Sequence, residues 1–545
     1  MAPQIIHLPD GQNFTVTPVF AGLFFKSHEL STHNNAFPIG WSVVLHTEDA
    51  EGDDNGDGGN SNNNNSKNNN SKNNNSGDGT PHTDKRHIHS FTRPTLQNDK
   101  LFISSISSPS SNDFKPAASP TRQIAMMLWV TLYWYFHQPE PPAVLHSDAA
   151  KNTPESGKPR GEWRINIKRD GVLRGRNLIP KLERMGLIST LDSAVGVCMD
   201  DSEGWSSMFV SRKAFWQIPG RLFLFTLQPN PKQAGGGGGQ HSHPGSPTTS
   251  RPGSPTPNEP GVDRPYLSPT PSHSQADVPG APPPTTLASP PTFPIGPFYS
   301  SSHLPTYYPP PPAQFTTTNH VRHPVRPKPP RMGEIFYTRF VPSVGQYLSF
   351  RVASLSPKPV PHMGPAGPNP PSSPQCDRLL ALSDTLLLQR WLANPRVSAF
   401  WGGYVPDFLT RALASAHSFP VIGMWDGVPF GYFEIYWVRE DPLGRYLSDG
   451  GGGGAAADWD RGFHVFIGED WARGRVQPWL SGLVHWAFCS DYRTMSICVE
   501  PRVDNKRFIQ HLQFAGFSKE KEISFPHKQA WFGRLRRDNW EGPAL

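Results

Sequence analysis

The sequence predicts an α/β or α+β fold, a mixed sheet flanked by helices, and three observations carry that reading. Across residues 333–545 the segments alternate strand, strand, helix, several strands, helix, strand, helix, strand, an order that suits a mixed sheet covered on both faces. Asp426-Gly427 between two β-rich runs is a hairpin signal. After a strand over 462–468, Leu480, Leu483, Val484, Ala487 and Phe488 recur at the i, i+3, i+4 spacing of a helix with one buried side.

Taken in order, IIHLPDGQNFTVTPVF joins two β-rich runs through a Pro-Asp-Gly turn. SPTRQIAMMLWVTLYWYFHQP starts and continues as a largely apolar helix that ends before Pro139. EWRINIKRDG, NLIPKLERMGLIS and RLFLFTLQP suggest strand, helix and strand. EIFYTRFVPSVGQYLSFRVAS gives two strands, and LSDTLLLQRWLANPRV a helix with Leu386, Leu387, Leu388, Trp391 and Leu392 as its apolar residues. TMSICVE alternates as a strand, VDNKRFIQHLQFAGF is a short helix with an Asp/Asn start and Gly516 at its end, and ISFPHKQAWFGRL closes with β-like segments.

With 62 prolines and 49 glycines among 545 residues, the folded part is smaller than the length suggests. Three tracts are too poor in apolar residues to offset their ordering entropy and are expected to be disordered: Glu51 to Gly79, Pro229 to Met332, and Ser356 to Pro374. The expected organisation is an N-terminal domain over 1–227 with a disordered insert at 51–79, a disordered Pro/Ser/Gly linker over 228–332, and a second globular domain over 333–545. Within the linker, PPPPAQF and RPKPPR have the form of polyproline II ligands for SH3-like partners, against the plainer reading of a spacer.

Net charge is +6, but only 18% of residues are charged and no dense Lys/Arg block appears, so a nucleic-acid role has weak support and an anionic small ligand fits the charge equally well. Cys198, Cys376, Cys489 and Cys498 show no C-x-x-C spacing, which points to buried thiols in a reducing compartment and no metal site. The N-terminus lacks a signal-peptide pattern and the longest apolar stretch, Ile124 to Phe136, is too short to span a bilayer, so a cytoplasmic protein without a membrane partner is expected.

The chemistry gathers near Ala472-Arg473-Gly474-Arg475. A strand feeding into a helix there places backbone N–H groups, a helix dipole and two guanidinium groups at one spot, an anion site; the alternative is a solvated Arg-rich loop. Strand alternation puts His464 opposite Phe463 and Val465, and Glu434 lies among aromatics on an earlier strand. A histidine, a glutamate and a phosphate cradle about one sheet suggest acyl transfer from a phosphate-bearing thioester. Taken singly, His464 also reads as a core histidine, Glu434 as half an ion pair, and Trp437 and Trp471 as packing.

GYFEIYWVREDPLGRY, DRGFHVFIGE, RGRVQPWL, EPRVDNKRFIQHLQFAGF and FPHKQA, in that order, resemble the GNAT-fold acyl-CoA transferases that acylate N-hydroxylated ornithine or lysine in siderophore synthesis, above all the fungal N5-hydroxyornithine acyltransferases. The resemblance covers about Glu334 to Leu545; pieces of the N-terminal region are compatible with a second, GNAT-like domain. It implies that Arg473, Gly474 and Arg475 cradle the CoA pyrophosphate with Asn505 near the pantetheine or adenylate. His464 would be the general base, facing the acyl carbonyl and the acceptor, with Glu500 orienting it, while Glu434, Tyr436 and Trp437 would line the hydroxyornithine pocket. Val476 departs from the usual small residue of the GNAT turn, and Gly450 to Ala457 lengthen a loop.

The implied activity is transfer of acetyl from acetyl-CoA, as co-substrate, to the hydroxylamine nitrogen, with a longer branched acyl-CoA as the alternative donor. The C-terminal Pro-Ala-Leu is not of the peroxisomal kind associated with longer acyl chains, which favours acetyl. Two rival readings are a GNAT acting on another amine and a non-catalytic interaction protein.

Overall fold

The computed structural model describes residues 2–20, 22–27, 40–48, 87–107, 119–145, 148–175, 177–190, 208–224, 314–448 and 454–545. The tract 51–79, the linker from 228 to 313 with the PPPPA of PPPPAQF, and Cys198 lie outside the described residues, while Gln314 and Phe315 of that motif are described.

The first sheet comprises β1 (Gln4–His7), β2 (Asn13–Val19), β3 (Gly22–Ser27), β4 (Gly40–Glu48), β5 (Ile88–Ser90), β6 (Asp99–Ser107), β7 (Arg164–Ile167), β8 (Ser189–Thr190) and β9 (Met208–Ser211). Their order is β1-β2-β3-β4-β6-β7-β9-β8, with β5 beside β4. The helices α1 (Pro120–Tyr135), α2 (Ile179–Arg184) and α3 (Arg212–Trp216) accompany it. The expected hairpin is present as β1 and β2, paired from Gln4↔Val16 to His7↔Asn13. Helix α1 starts with Pro120 at its first position, where no N–H is needed, and is buried from Ile124 through Tyr135, so it crosses the core.

A separate hairpin, β10 (Phe315–Thr318) and β11 (Val321–Pro324), precedes the second sheet. That sheet contains β12 (Ile335–Val341), β13 (Gln346–Val352), β14 (Ser418–Trp425), β15 (Val428–Trp437), β16 (Arg461–Ile467), β17 (Ser496–Val499), β18 (Ser518–Phe525) and β19 (Lys528–Arg536). Its order is β12-β13-β14-β15-β16-β17-β19-β18. The helices are α4 (Pro374–Leu380), α5 (Asp384–Leu392), α6 (Pro395–Trp401), α7 (Phe408–Leu413), α8 (Pro442–Ser448), α9 (Val476–Ser490) and α10 (Lys506–Phe514).

The two sheets follow one path. Each has four antiparallel strands, a fifth, a helix, a sixth strand parallel to the fifth, a short helix, and a closing pair in reversed order; the parallel pairs are β6–β7 and β16–β17. Aligning Lys100↔Asn166 with Arg461↔Ile497 sets Ile103 at the position of His464 and, through Val43↔Ile103 and Glu434↔His464, Val43 at that of Glu434. Both substitutes are buried and apolar. One continuous hydrophobic cluster runs through both halves, from Trp41 and Trp134 to Phe433 and Trp479.

Four expectations change. In RLFLFTLQP, Gly220–Leu222 form a 3-10 turn instead of a strand, and the segment leaves the described residues at 225. Leu386 is 46% exposed, whereas Leu387, Leu388, Trp391 and Leu392 are buried. Residues 356–373 have a defined path: the Gly367 N–H donates to Asp426 Oδ1 at 2.8 Å, tying the strap to the β14–β15 turn. The expected linker ends earlier than 332, because β10 and β11 are anchored. Arg326 donates to both carboxylate oxygens of Glu440 at 2.6 Å each, and His323 Nδ1 lies 2.9 Å from the same carboxylate, which is completely buried. RPKPPR begins at this anchored arginine, which bears against its use as a free ligand. No described helix is long and apolar enough to cross a membrane.

Candidate active site

Parallel strands β16 and β17 pair only at Arg461↔Ile497 and Gly462↔Cys498, and then part. The opening is a cavity of about 550 Å³ between the rest of β16, the end of β17, α6, the starts of α9 and α10, and the β18–β19 turn. On the β16 side, the Val465 and Ile467 carbonyls accept from Trp401 Nε1 and Arg473 Nη2, each at 3.3 Å. Arg396, Arg473, Arg502, Arg507 and Lys528 line this space with one carboxylate, Glu500; Asp470 pairs with Arg396 and Arg473 and Asp504 with Arg502, so cations still exceed carboxylates and the space favours an anion.

His464, half-buried in the middle of β16, stands between two carboxylates. Its Nε2 is 2.5 Å from Glu500 Oε1 and its Nδ1 3.6 Å from Glu434 Oε2 on the paired residue of β15. The second oxygen of Glu500 accepts from the Tyr436 hydroxyl at 2.7 Å, and Glu434 accepts from the Tyr432 hydroxyl at 2.8 Å. Lys528 Nζ donates to the Glu500 carbonyl at 2.8 Å. The Tyr436 ring lies over Gly462, where a Cβ would come within 2.3 Å of it, so only glycine lets the ring reach Glu500.

Burial opposes the charged form of all three groups, and each partner outweighs it. Desolvation works to lower the His464 pKa, but the Glu500 charge and contacts with both glutamates push it up to about 10. Desolvation likewise works to raise Glu500, yet His464 and Lys528 hold it down to about 2. Glu434 is held below the usual carboxylate range by His464 and Tyr432, against the same burial effect. At neutral pH the arrangement is carboxylate, imidazolium, carboxylate.

The structure brings His464, Glu500, Arg473 and Asn505 to the cavity wall. Asn505 occupies the N-cap position of α10 without a side-chain cap bond. Arg473 is braced by Asp470 at 2.7 Å. The expected strand-to-helix turn is a 3-10 turn, Asp470–Arg475, and it sends its two arginines different ways. Arg475 turns away to Gln346 and to the faces of Trp425 and Trp471, outside the cavity. Nothing lies within 4 Å of where a Gly474 Cβ would stand. Glu434 and Tyr436 are not part of the cavity wall but each touches a residue that is: the partly exposed Glu434 stands beside His464, and Tyr436 bonds Glu500. Trp437 is remote from them, packed between Arg326 and Arg461.

Sequence reasoning missed Trp401, Arg502, Lys528 and Phe508 as cavity residues. Arg502 and Lys528 stand inside EPRVDN and FPHK, so the motif was visible while the individual side chains were not distinguished.

A mixed sheet whose parallel strands part over a basic slot, with His464 between two glutamates at its base, is an arrangement suited to an acyltransferase. Residues 381–525 match the family described as an acetyltransferase (GNAT) domain. Over 544 residues the chain is 54% identical to "N5-hydroxyornithine acetylase sidL" of Beauveria bassiana (strain ARSEF 2860), spanning 97% of this chain and 100% of that protein. The chain belongs to this family of siderophore acyltransferases. It is also 35% identical over 223 residues to an "N(6)-hydroxylysine O-acetyltransferase" of Escherichia coli, covering 40% of this chain and 60% of that one. A third relative, "N(5)-hydroxyornithine:cis-anhydromevalonyl coenzyme A-N(5)-transacylase SIDF" of Beauveria bassiana (strain ARSEF 2860), is 31% identical over 39% of this chain and 42% of its own.

Proposed function

We propose that this chain transfers an acetyl group from acetyl-CoA to the N5 hydroxylamine nitrogen of N5-hydroxy-L-ornithine, giving the hydroxamate and free CoA. The observation that carries the reading is His464 held between Glu500 and Glu434 at the base of a basic slot. Arg473, with the open backbone at Gly474 and the start of α9, receives the CoA phosphates, and Asn505 lies along the same ligand. The N-terminal domain over 1–227 supports the catalytic domain over 333–545 and carries Ile103 and Val43 where the latter carries His464 and Glu434.

A hydroxylamine nitrogen is weakly basic and reaches the site unprotonated. Its attack on the thioester carbonyl forms the C–N bond and makes that nitrogen strongly acidic, so a carboxylate suffices as base; Glu434, on the acceptor side of His464, takes the proton. Nε2–H of the His464 imidazolium is held by Glu500, so it is Nδ1–H, 3.6 Å from the nearest carboxylate and beyond hydrogen-bond distance of it, that donates toward the oxyanion and, as the C–S bond breaks, toward the departing sulfur. This assigns His464 a donor's part in place of the neutral base expected from the sequence. Tyr436 acts through Glu500, and Trp437 and Arg475 have structural parts.

The test is a steady-state assay with acetyl-CoA, comparing N5-hydroxyornithine with ornithine by free-CoA release and by the coloured ferric complex that hydroxamates form. Strong preference for the hydroxylated acceptor together with ferric colour is expected. Equal use of ornithine, or CoA release without ferric colour, would overturn the assignment.

A further inference from the structure

A second cavity, of about 80 Å³, lies where the two halves meet; Trp129 and Trp216 wall it from one side, Phe336, Arg339 and His485 from the other. Arg339 is only 1% exposed. Its Nη2 donates to the Ala544 carbonyl at 2.5 Å and the guanidinium interacts with the Tyr337 hydroxyl, while Nε and Nη1 make no hydrogen bond of good geometry. The indole N–H groups of Trp129 and Trp216 are buried without partners as well. Among the described residues no carboxylate pairs with this guanidinium. Burial and the Arg339 charge lower the His485 pKa to about 3, so the cations that line the cavity are Arg339 and, at its edge, Arg221.

Buried donors are almost always satisfied, and an unpaired buried guanidinium costs several kcal/mol. A small space lined by spare N–H donors and a cation, with aromatic walls, matches an anion that carries two oxygens for the guanidinium fork and a short apolar end. We propose that this cavity binds one small carboxylate, of the size of acetate, on Arg339, and that the bound anion fastens the two halves together.

The experiment follows thermal unfolding of the full chain in sodium acetate, with ionic strength held constant by sodium gluconate, whose anion is too large for the cavity. Acetamide serves as the uncharged isostere. Acetate is expected to raise Tm saturably by about 2 to 5 °C; acetamide should not, and Arg339→Met should lose the response. An equal rise with acetamide, an equal rise in Arg339→Met, or no rise would overturn the proposal. Should Arg339→Met fail to fold, bromide-soaked crystals of the unaltered protein decide: an anomalous peak beside Arg339 Nε and Nη1 supports the site, and water alone there refutes it.

Discussion

His464 Nε2 and Glu500 Oε1 are 2.5 Å apart, a contact between the centre of β16 and the first residue beyond β17, made where the two strands have just separated. The divergence that creates the slot also places the pair at its base.

Removing the Glu500 charge unbalances the triad. Glu500→Gln is expected to lower kcat more than tenfold with KM for acetyl-CoA little changed, because phosphate contacts lie elsewhere. Tyr436→Phe removes only the 2.7 Å bond to Glu500 and should have a smaller effect in the same direction. Steady-state kinetics of both variants checks the ranking.

The two arginines of the turn should separate. Arg473→Ala is expected to raise KM for acetyl-CoA about tenfold or more, the size of one charge-assisted bond. Arg475→Ala, which removes packing against Trp425 and Trp471, should leave that KM nearly unchanged and lower Tm. A matching rise in KM for Arg475→Ala would restore both arginines to the phosphate site.

The triad sets a pH dependence. His464 is raised from 6.5 to about 10, so its stabilising charge is fully present below 6.5 and lost as pH rises through about 10. Glu500 is lowered from 4.5 to about 2, so its contribution is present above 4.5 and lost as pH falls through about 2. These are two sides of one interaction. Nitrogen-15 NMR is expected to show both ring nitrogens of His464 protonated at neutral pH, and a ring titrating near 6.5 would contradict the donor role.

Arg326→Ala leaves the Glu440 carboxylate completely buried without its main partner. The loss expected is about 3 to 5 kcal/mol, measured by denaturant unfolding. Because this pair lies away from His464, the kcat of the remaining folded enzyme should be little affected.

Much of this site was legible because local pattern and chemistry coincide in it. Alternation on β16 and the basic turn pointed to His464 and Arg473, and the hairpin at Asp426-Gly427 fixed the strands beside them. The divergent fates of Arg473 and Arg475 were hidden, since a 3-10 turn rotates successive side chains in ways that spacing does not reveal. The charge on His464 was hidden too, because it depends on Glu434 and Glu500, brought together across β15, β16 and β17 by tertiary pairing. Residues 356–373 show the opposite case, a Pro-rich composition held in place by contacts to a distant turn.

Ile103 and Val43 occupy in the first sheet the positions that His464 and Glu434 hold in the second. Two copies of one chain path therefore have two modes of failure. Ile103→Ala damages folding, by about 2 to 5 kcal/mol for a fully buried side chain, and leaves the reacting groups intact. His464→Ala, on the proposed role of this residue, is expected to leave a folded protein that turns over at least tenfold more slowly, which steady-state kinetics of the soluble variant checks. A survey of loss-of-function substitutions would divide along the chain, with insoluble variants clustering in the first half and soluble inactive ones in the second.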